Sequence, residues 1–179
     1  LYNAACQSKT LDMPAPTQFG DFAEWQIAQR GTPAMQTHEG YWLNQFPAEI
    51  PVLELPLDRA RPPVKTYNGA VETIQLDKAL TRALRTLSRQ QHSTLFMTLL
   101  SAYMALLHRL SGQEDVIVGV PSAGRGMQGS ERAVGYFAHL LPIRHVLSGN
   151  PSFGEMLQGI RGTLINAYEH QDYPFARLI

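Results

Sequence analysis

The sequence predicts an α/β layered domain with a mostly buried sheet. Apolar residues recur at helical spacing in Leu80, Leu84 and Leu87, and again in Phe153, Met156, Leu157, Ile160, Leu164 and Tyr168. Between those stretches, Val116-Ile117-Val118-Gly119-Val120 is a short continuous apolar run, which predicts a strand buried on both faces. Hydrophobic residues fill 44% of the 179 positions and charged residues 17%, a balance that favours one globular domain over a disordered chain.

The elements follow in order. Residues Leu1 to Pro16 start helix-like and turn into a loop at Pro14 and Pro16. Asp21 is a candidate cap for a short helix through Trp25 to Arg30, ended by Gly31. A second helix is expected around Thr37 to Phe46. Prolines at 47, 51, 56, 62 and 63 then impose an extended crossing segment, since each fixes φ and removes a donor. Gly69 to Leu76 is β-rich and predicts a strand. Asp77 can cap a helix to about Gln90. Ser93 or Thr94 can cap the next, which Gly112 ends. That second helix is apolar nearly all round, so a central position is expected. After the Val116–Val120 strand, Pro121 to Arg132 reads as a glycine-rich loop. Tyr136 to Val146 reads as another strand, with Pro142 marking a bulge or an edge. Ser152 caps a last helix, in which Gly154, Gly159 and Gly162 each cost about 1 kcal/mol relative to alanine.

A formal net charge of +0 gives no reason to expect a nucleic-acid or anionic-membrane partner. A single cysteine, Cys6, can form neither an internal disulfide nor a Cys-rich zinc site. The first residues lack a basic region followed by an apolar core. The apolar run from Leu95 to Leu107 is broken by Thr98 and Ser101 and is too short to span a bilayer. The expectation is a cytoplasmic chain.

Gly124-Arg125-Gly126-Met127-Gln128-Gly129 fits G-x-G-x-x-G after a strand. A dinucleotide site also needs a helix opening inside the motif and an acid about twenty residues on, and neither is evident. None of the six histidines has His-Glu-x-x-His spacing. His108 reads as a satisfied core or boundary residue, and His145 as structural or exposed. His170-Gln171-Asp172 resembles half of an acid–base pair, but it also suits a turn closing a helix ahead of Pro174. No serine stands in Gly-x-Ser-x-Gly. Arg125 and Arg144 lie close to predicted buried strands, where a guanidinium needs a carboxylate or carbonyl partners; a surface position at a strand end is the equal alternative. The glycines at 119, 124, 126, 129 and 135 suit a loop lining a tunnel, or tight turns alone.

Several motifs then occur in a telling order. Phe19-Gly20-Asp21-Phe22-Ala23-Glu24-Trp25 resembles the Tyr-x-Asp-Phe-Ala-x-Trp motif of the condensation domains of nonribosomal peptide synthetases. Tyr41-Trp42, Leu53-Glu54-Leu55-Pro56-Leu57-Asp58 and Arg61-Pro62 resemble the linker between that family's two lobes. Leu95 to Leu107 is similar to its long central helix. Gly112-Gln113-Glu114-Asp115 through Gly124-Arg125 is similar to the strand and loop that follow. Val134-Gly135-Tyr136-Phe137-Ala138-His139 through Arg144 resembles Gly-x-Phe-Val-Asn-Thr…Arg. His170-Gln171-Asp172-Tyr173-Pro174-Phe175 completes the series, which covers essentially the whole chain.

The resemblance implies a chloramphenicol-acetyltransferase-like fold, a mixed sheet flanked by helices, with two lobes in a V. Residues 1–46 would end the first lobe, 47–68 would be the inter-lobe linker, and 69–179 would be an incomplete second lobe. It implies acyl or peptidyl transfer from a carrier-protein thioester to an acceptor amine, within the biosynthesis of antibiotics and other secondary metabolites. Partners would be donor and acceptor peptidyl carrier proteins, neighbouring adenylation or other synthetase domains, and the rest of the condensation domain. No cofactor would bind directly; the substrates ride on the carriers' phosphopantetheine. The family's His-His-x-x-x-Asp-Gly reaction motif is absent from these residues. It is expected before Leu1, with the second lobe continuing past Ile179, so the chain alone should be inactive.

His139 falls where the family has a tunnel asparagine, Ala138 where it has valine and Leu140 where it has threonine. The tunnel candidates are His139, Tyr136, Ser122 and Gly124. Asp21, Trp25, Arg125, Arg144, His170 and Asp172 would be scaffold or tunnel-border residues, with Arg144 pairing to the absent lobe. A non-catalytic carrier-binding module and an epimerising or ester-forming variant are the alternatives.

Overall fold

The computed structural model describes residues 6–7, 15–46, 50–64 and 66–178. The helix-like start at Leu1, and Pro14 and Pro47, lie outside the described residues. The described elements run α1 (Phe19–Ala28), α2 (Pro33–Gln45), α3 (Lys78–Gln90), α4 (Leu95–Ser111), β1 (Asp115–Ser122), β2 (His139–Val146) and α5 (Phe153–Glu169). Short 3-10 turns occupy Ser130–Arg132 and Phe175–Arg177.

Capping chemistry explains most boundaries. Asp77 Oδ1 accepts from the Leu80 amide at 2.7 Å, and Thr94 Oγ1 accepts from Met97 at 3.1 Å. Gly112 ends α4 in the left-handed region, at φ 72°. Two helix starts differ from expectation. Gln18, not Asp21, is the N-cap of α1; Asp21 sits three residues in and its Oδ2 accepts from the Gln18 amide at 2.8 Å. Helix α2 starts at Pro33 rather than Thr37, because Thr32 caps it and proline at the first helical position loses no needed donor. Ser152 and Glu155 form a reciprocal capping box at α5: the Glu155 amide donates to Ser152 Oγ, and the Ser152 amide donates to Glu155 Oε2 at 2.8 Å. Ser152→Ala should lower stability by about 1 kcal/mol in urea unfolding, and an unchanged midpoint would place the start of α5 under tertiary control.

β1 and β2 pair antiparallel in an unbroken register from Asp115↔Val146 to Ser122↔His139. Pro142 faces Gly119 without a bulge, so it is the edge reading that holds. The strand expected over Gly69 to Leu76 does not form. Val71 is 90% and Ile74 86% exposed, and no described strand offers that stretch a ladder. β1 is buried on one side only: Val116, Val120 and Ser122 are covered, Ile117 and Val118 partly so, and Gly119 is exposed. α4 is likewise two-faced. Thr98, Ser101, Met104 and Leu107 turn inward, while Phe96, Leu99, Tyr103, Leu106 and Leu110 are about half exposed.

The main core joins α2, α4, the sheet and α5 through Trp42, Met104, Val116, Leu141, Ile143, Met156, Ile160 and Leu164. Gly159, a liability on helix propensity, has a packing reason. A Cβ there would come within 2.6 Å of the His145 ring, so glycine lets α5 close on β2. Burial of that ring lowers the His145 pKa. The extended segment is pinned by Gln113, whose Oε1 accepts from the Glu54 amide at 2.7 Å and whose Nε2 donates to the Val52 carbonyl at 2.9 Å. A second, smaller cluster packs Phe22, Ala133 and Phe137 with Trp25 and Met127. No helix among the described residues is long and apolar enough to cross a membrane.

Candidate functional site

Phe22, Trp25 and Phe137 of the second cluster line a cleft of about 420 Å³. Its walls come from α1 (Phe19, Trp25), the glycine-rich loop (Gly124), the segment leading into β2 (Tyr136), the first residue of β2 (His139) and the segment after α5 (Asp172). Aromatic rings weld α1 to the segment leading into β2. Phe137 meets Phe22 edge-on at 4.8 Å and Phe19 at 5.2 Å between centroids. Phe19 in turn lies over Gly135, where a Cβ would come within 2.4 Å of its ring.

The loop can approach this wall only because it is glycine at the right places. Gly124 has φ 63°, and a Cβ on it would sit 2.0 Å from the Phe137 carbonyl oxygen and 2.7 Å from His139 Nδ1. At Gly126 a Cβ would meet Asp172 Oδ1 at 2.2 Å. The G-x-G-x-x-G pattern therefore serves close backbone approach. It opens no α-helix; the chain passes from Gly129 into the three-residue turn Ser130–Arg132.

Of the residues singled out from sequence, Trp25, Gly124, Tyr136, His139 and Asp172 are brought together on the cleft. Tyr136 is 83% exposed at its mouth. His139 Nδ1 is 3.4 Å from the Phe137 carbonyl, and its Nε2 is shut from solvent without a hydrogen-bond partner among the described residues. Such an orphan nitrogen costs about 1–3 kcal/mol and singles the ring out from its neighbours.

Asp21, Ser122, Arg125, Arg144 and His170 do not line the cleft. Asp21 serves the α1 cap. Ser122 is buried and donates to Gln171 Oε1 at 2.6 Å, tying β1 to the cleft's far wall. Arg125 donates to the Ser130 and Ala133 carbonyls, and its guanidinium lies 4.3 Å from the Phe137 ring centroid. Arg144 finds partners within the described residues. Its Nε and Nη2 grip the Asp115 carboxylate at 3.0 and 2.6 Å, and Nη1 donates to the Gln45 carbonyl at 2.7 Å. The bond to Asp115 raises the pKa of this arginine, keeping it charged. Asp115 and Arg144 are nearly in register on the paired strands, Asp115 facing Val146. That proximity is invisible without the pairing. His170 stands behind the wall, against α2.

Sequence reasoning missed Phe19, Phe137 and Gln171 as cleft residues, although all three stand inside the motifs it quoted. It also missed His38, which meets His170. No three His, Cys, Asp or Glu side chains among the described residues converge into a metal-holding group.

The family model for the condensation domain matches residues 1–179. A linear gramicidin synthase from Brevibacillus parabrevis is 44% identical over 180 residues, covering 100% of this chain and 2% of that protein. A plipastatin synthase from Bacillus subtilis (strain 168) is 45% identical over 162 residues, 90% of this chain and 6% of that protein. Among solved structures, the SgcC5 protein from Streptomyces globisporus superposes with a TM-score of 0.79 at 31% identity, covering 98% of this chain and 40% of that one. The chain thus spans a small part of the curated relatives and under half of that structural relative.

Proposed function

Because the chain belongs to the condensation domain family, we propose that its cleft forms part of the tunnel in which a carrier-bound acyl or peptidyl thioester meets an acceptor amine in nonribosomal peptide synthesis. In that reaction the amine nitrogen attacks the thioester carbonyl. The new C–N bond forms, the C–S bond breaks, the carrier's phosphopantetheine leaves as a thiol, and the amine gives up a proton. The tetrahedral intermediate carries an oxyanion that needs hydrogen-bond donors in a site sheltered from water. Donor and acceptor carrier proteins and neighbouring synthetase domains are the partners this reading implies.

The residues described here supply walls rather than the reacting pair, since none forms a His-His-x-x-x-Asp-Gly motif. The observation that carries the reading is His139, a polar ring at an aromatic cleft whose Nε2 has no partner among the described residues. Trp25, Phe19 and Phe137 give the apolar surface beside it, and Gly124 the close backbone approach. Asp172 and Tyr136 border the opening, while Arg125 and Ser122 hold the loop and the far wall in place.

His139→Ala in the intact domain, assayed with loaded carriers, should lower acyl transfer about three- to tenfold, the worth of one hydrogen bond. Unchanged transfer by a folded variant would assign His139 to packing.

A further inference from the structure

The segment after α5 is held against α2 by a compact set of contacts. Trp42 Nε1 donates to the His170 carbonyl at 2.9 Å, and the Tyr173 hydroxyl donates to Glu39 Oε1 at 2.7 Å. Tyr41 stacks on the His170 ring, with centroids 4.2 Å apart and planes at 17°. His38 Nδ1 lies 2.9 Å from His170 Nδ1. The next residues in the chain, Gln171, Asp172, Pro174, Phe175 and Ala176, are one wall of the cleft.

The histidine contact differs from the others because it depends on a proton count. Two imidazole nitrogens at 2.9 Å hold each other only if one donates and the other accepts. One ring must therefore be neutral at Nδ1. When both rings are protonated, two donors and two positive charges face each other. The surroundings offset this only partly. On α2, Glu39 is already engaged by the Tyr173 hydroxyl, and Tyr41 is a neutral phenol. On α5, Glu169 adds negative charge beside His170. On the segment itself, Asp172 is turned to Gly126, and the Arg177 guanidinium over the Tyr173 ring adds positive charge.

We propose that His38 and His170 are positioning residues whose single shared proton holds the wall segment 170–176 against α2, so that one side of the cleft loosens when both rings become protonated. Burial first, then the charge of His38, lowers the His170 pKa, with Glu169 opposing. A histidine with a lowered folded pKa binds fewer protons folded than unfolded. Its stabilisation is therefore complete above the ordinary histidine pKa of about 6.5 and is lost as pH falls through the lower folded value.

Hydrogen exchange of the intact protein, read by mass spectrometry and corrected for intrinsic pH dependence, tests it. From about pH 7.5 to about pH 5.5, across the histidine range, opening of 168–178 should rise severalfold. Exchange of 157–164 within α5 should hold steady. His38→Gln should keep the protection but flatten the profile, because its amide can turn either its N–H or its oxygen toward His170. His38→Ala should lose the protection at both pH values. A flat wild-type profile, a wild-type profile in His38→Gln, or full protection in His38→Ala would each overturn the proposal.

Discussion

Gly124→Ala should destabilise the domain by about 2–5 kcal/mol, combining the left-handed backbone of a non-glycine residue with a clash that cannot relax cheaply. The new Cβ would meet the backbone carbonyl of Phe137 at 2.0 Å and the His139 ring at 2.7 Å. A flexible side-chain tip could swing away, but a carbonyl at the entry to a paired strand cannot. Its displacement would also disturb Phe137, on which Phe19, Phe22 and the Arg125 guanidinium all rest. Gly149→Ala is the matched control. It has φ 78° and nothing within 4 Å of an added Cβ, so it should show only the conformational part, about 1–2 kcal/mol. Urea unfolding of both variants separates the two effects. Equal losses at 124 and 149 would mean that the loop yields, and the close approach of Gly124 would lose its place in the architecture of the cleft.

Trp42→Ala should cost about 3–5 kcal/mol, the usual range for deleting a buried tryptophan. Trp42 is 1% exposed within the main core, and its indole N–H supplies the bond to the His170 carbonyl. Trp42→Phe keeps much of the apolar volume and removes that donor, so it should lose less stability while freeing the segment after α5. Exchange of 168–178 should then rise in Trp42→Phe more than its global stability falls. Exchange that tracks global stability alone would show that the indole bond does nothing for the cleft wall.

Local and long-range structure differ in how far they can be read from the chain. Helix ends at Asp77, Thr94, Gly112 and Ser152 were legible because capping is a local matter, settled within one turn of chain. Asp21 and Pro33 show the margin: the same residues suit a cap or the turn beside it, and the neighbours decide. Gly69–Leu76 forms no strand despite its composition, because β-propensity describes a fit to partners and the described residues offer none. Arg144 could be suspected of needing a carboxylate, but which one depended on β1 and β2 pairing so that Asp115 comes within reach. Half of the singled-out residues converge on the cleft; Ser122, Arg125 and His170 hold its loop and far wall, Asp21 serves the α1 cap, and Arg144 ties β2 to Asp115 and Gln45. That split follows side-chain direction, on which the motifs are silent.

The α/β class, most helix boundaries and, through an ordered set of motifs, membership of the condensation domain family can be read along the chain. Tertiary structure alone decided what those motifs do together. It set His38 against His170 across 132 positions, joined Ser122 to Gln171 across 49, and brought Gly124 beneath His139. The physical reason is range. Caps and periodicity act over a few residues, whereas a cleft is made by backbones and rings that meet only after the core around Trp42, Ile143 and Leu164 has closed.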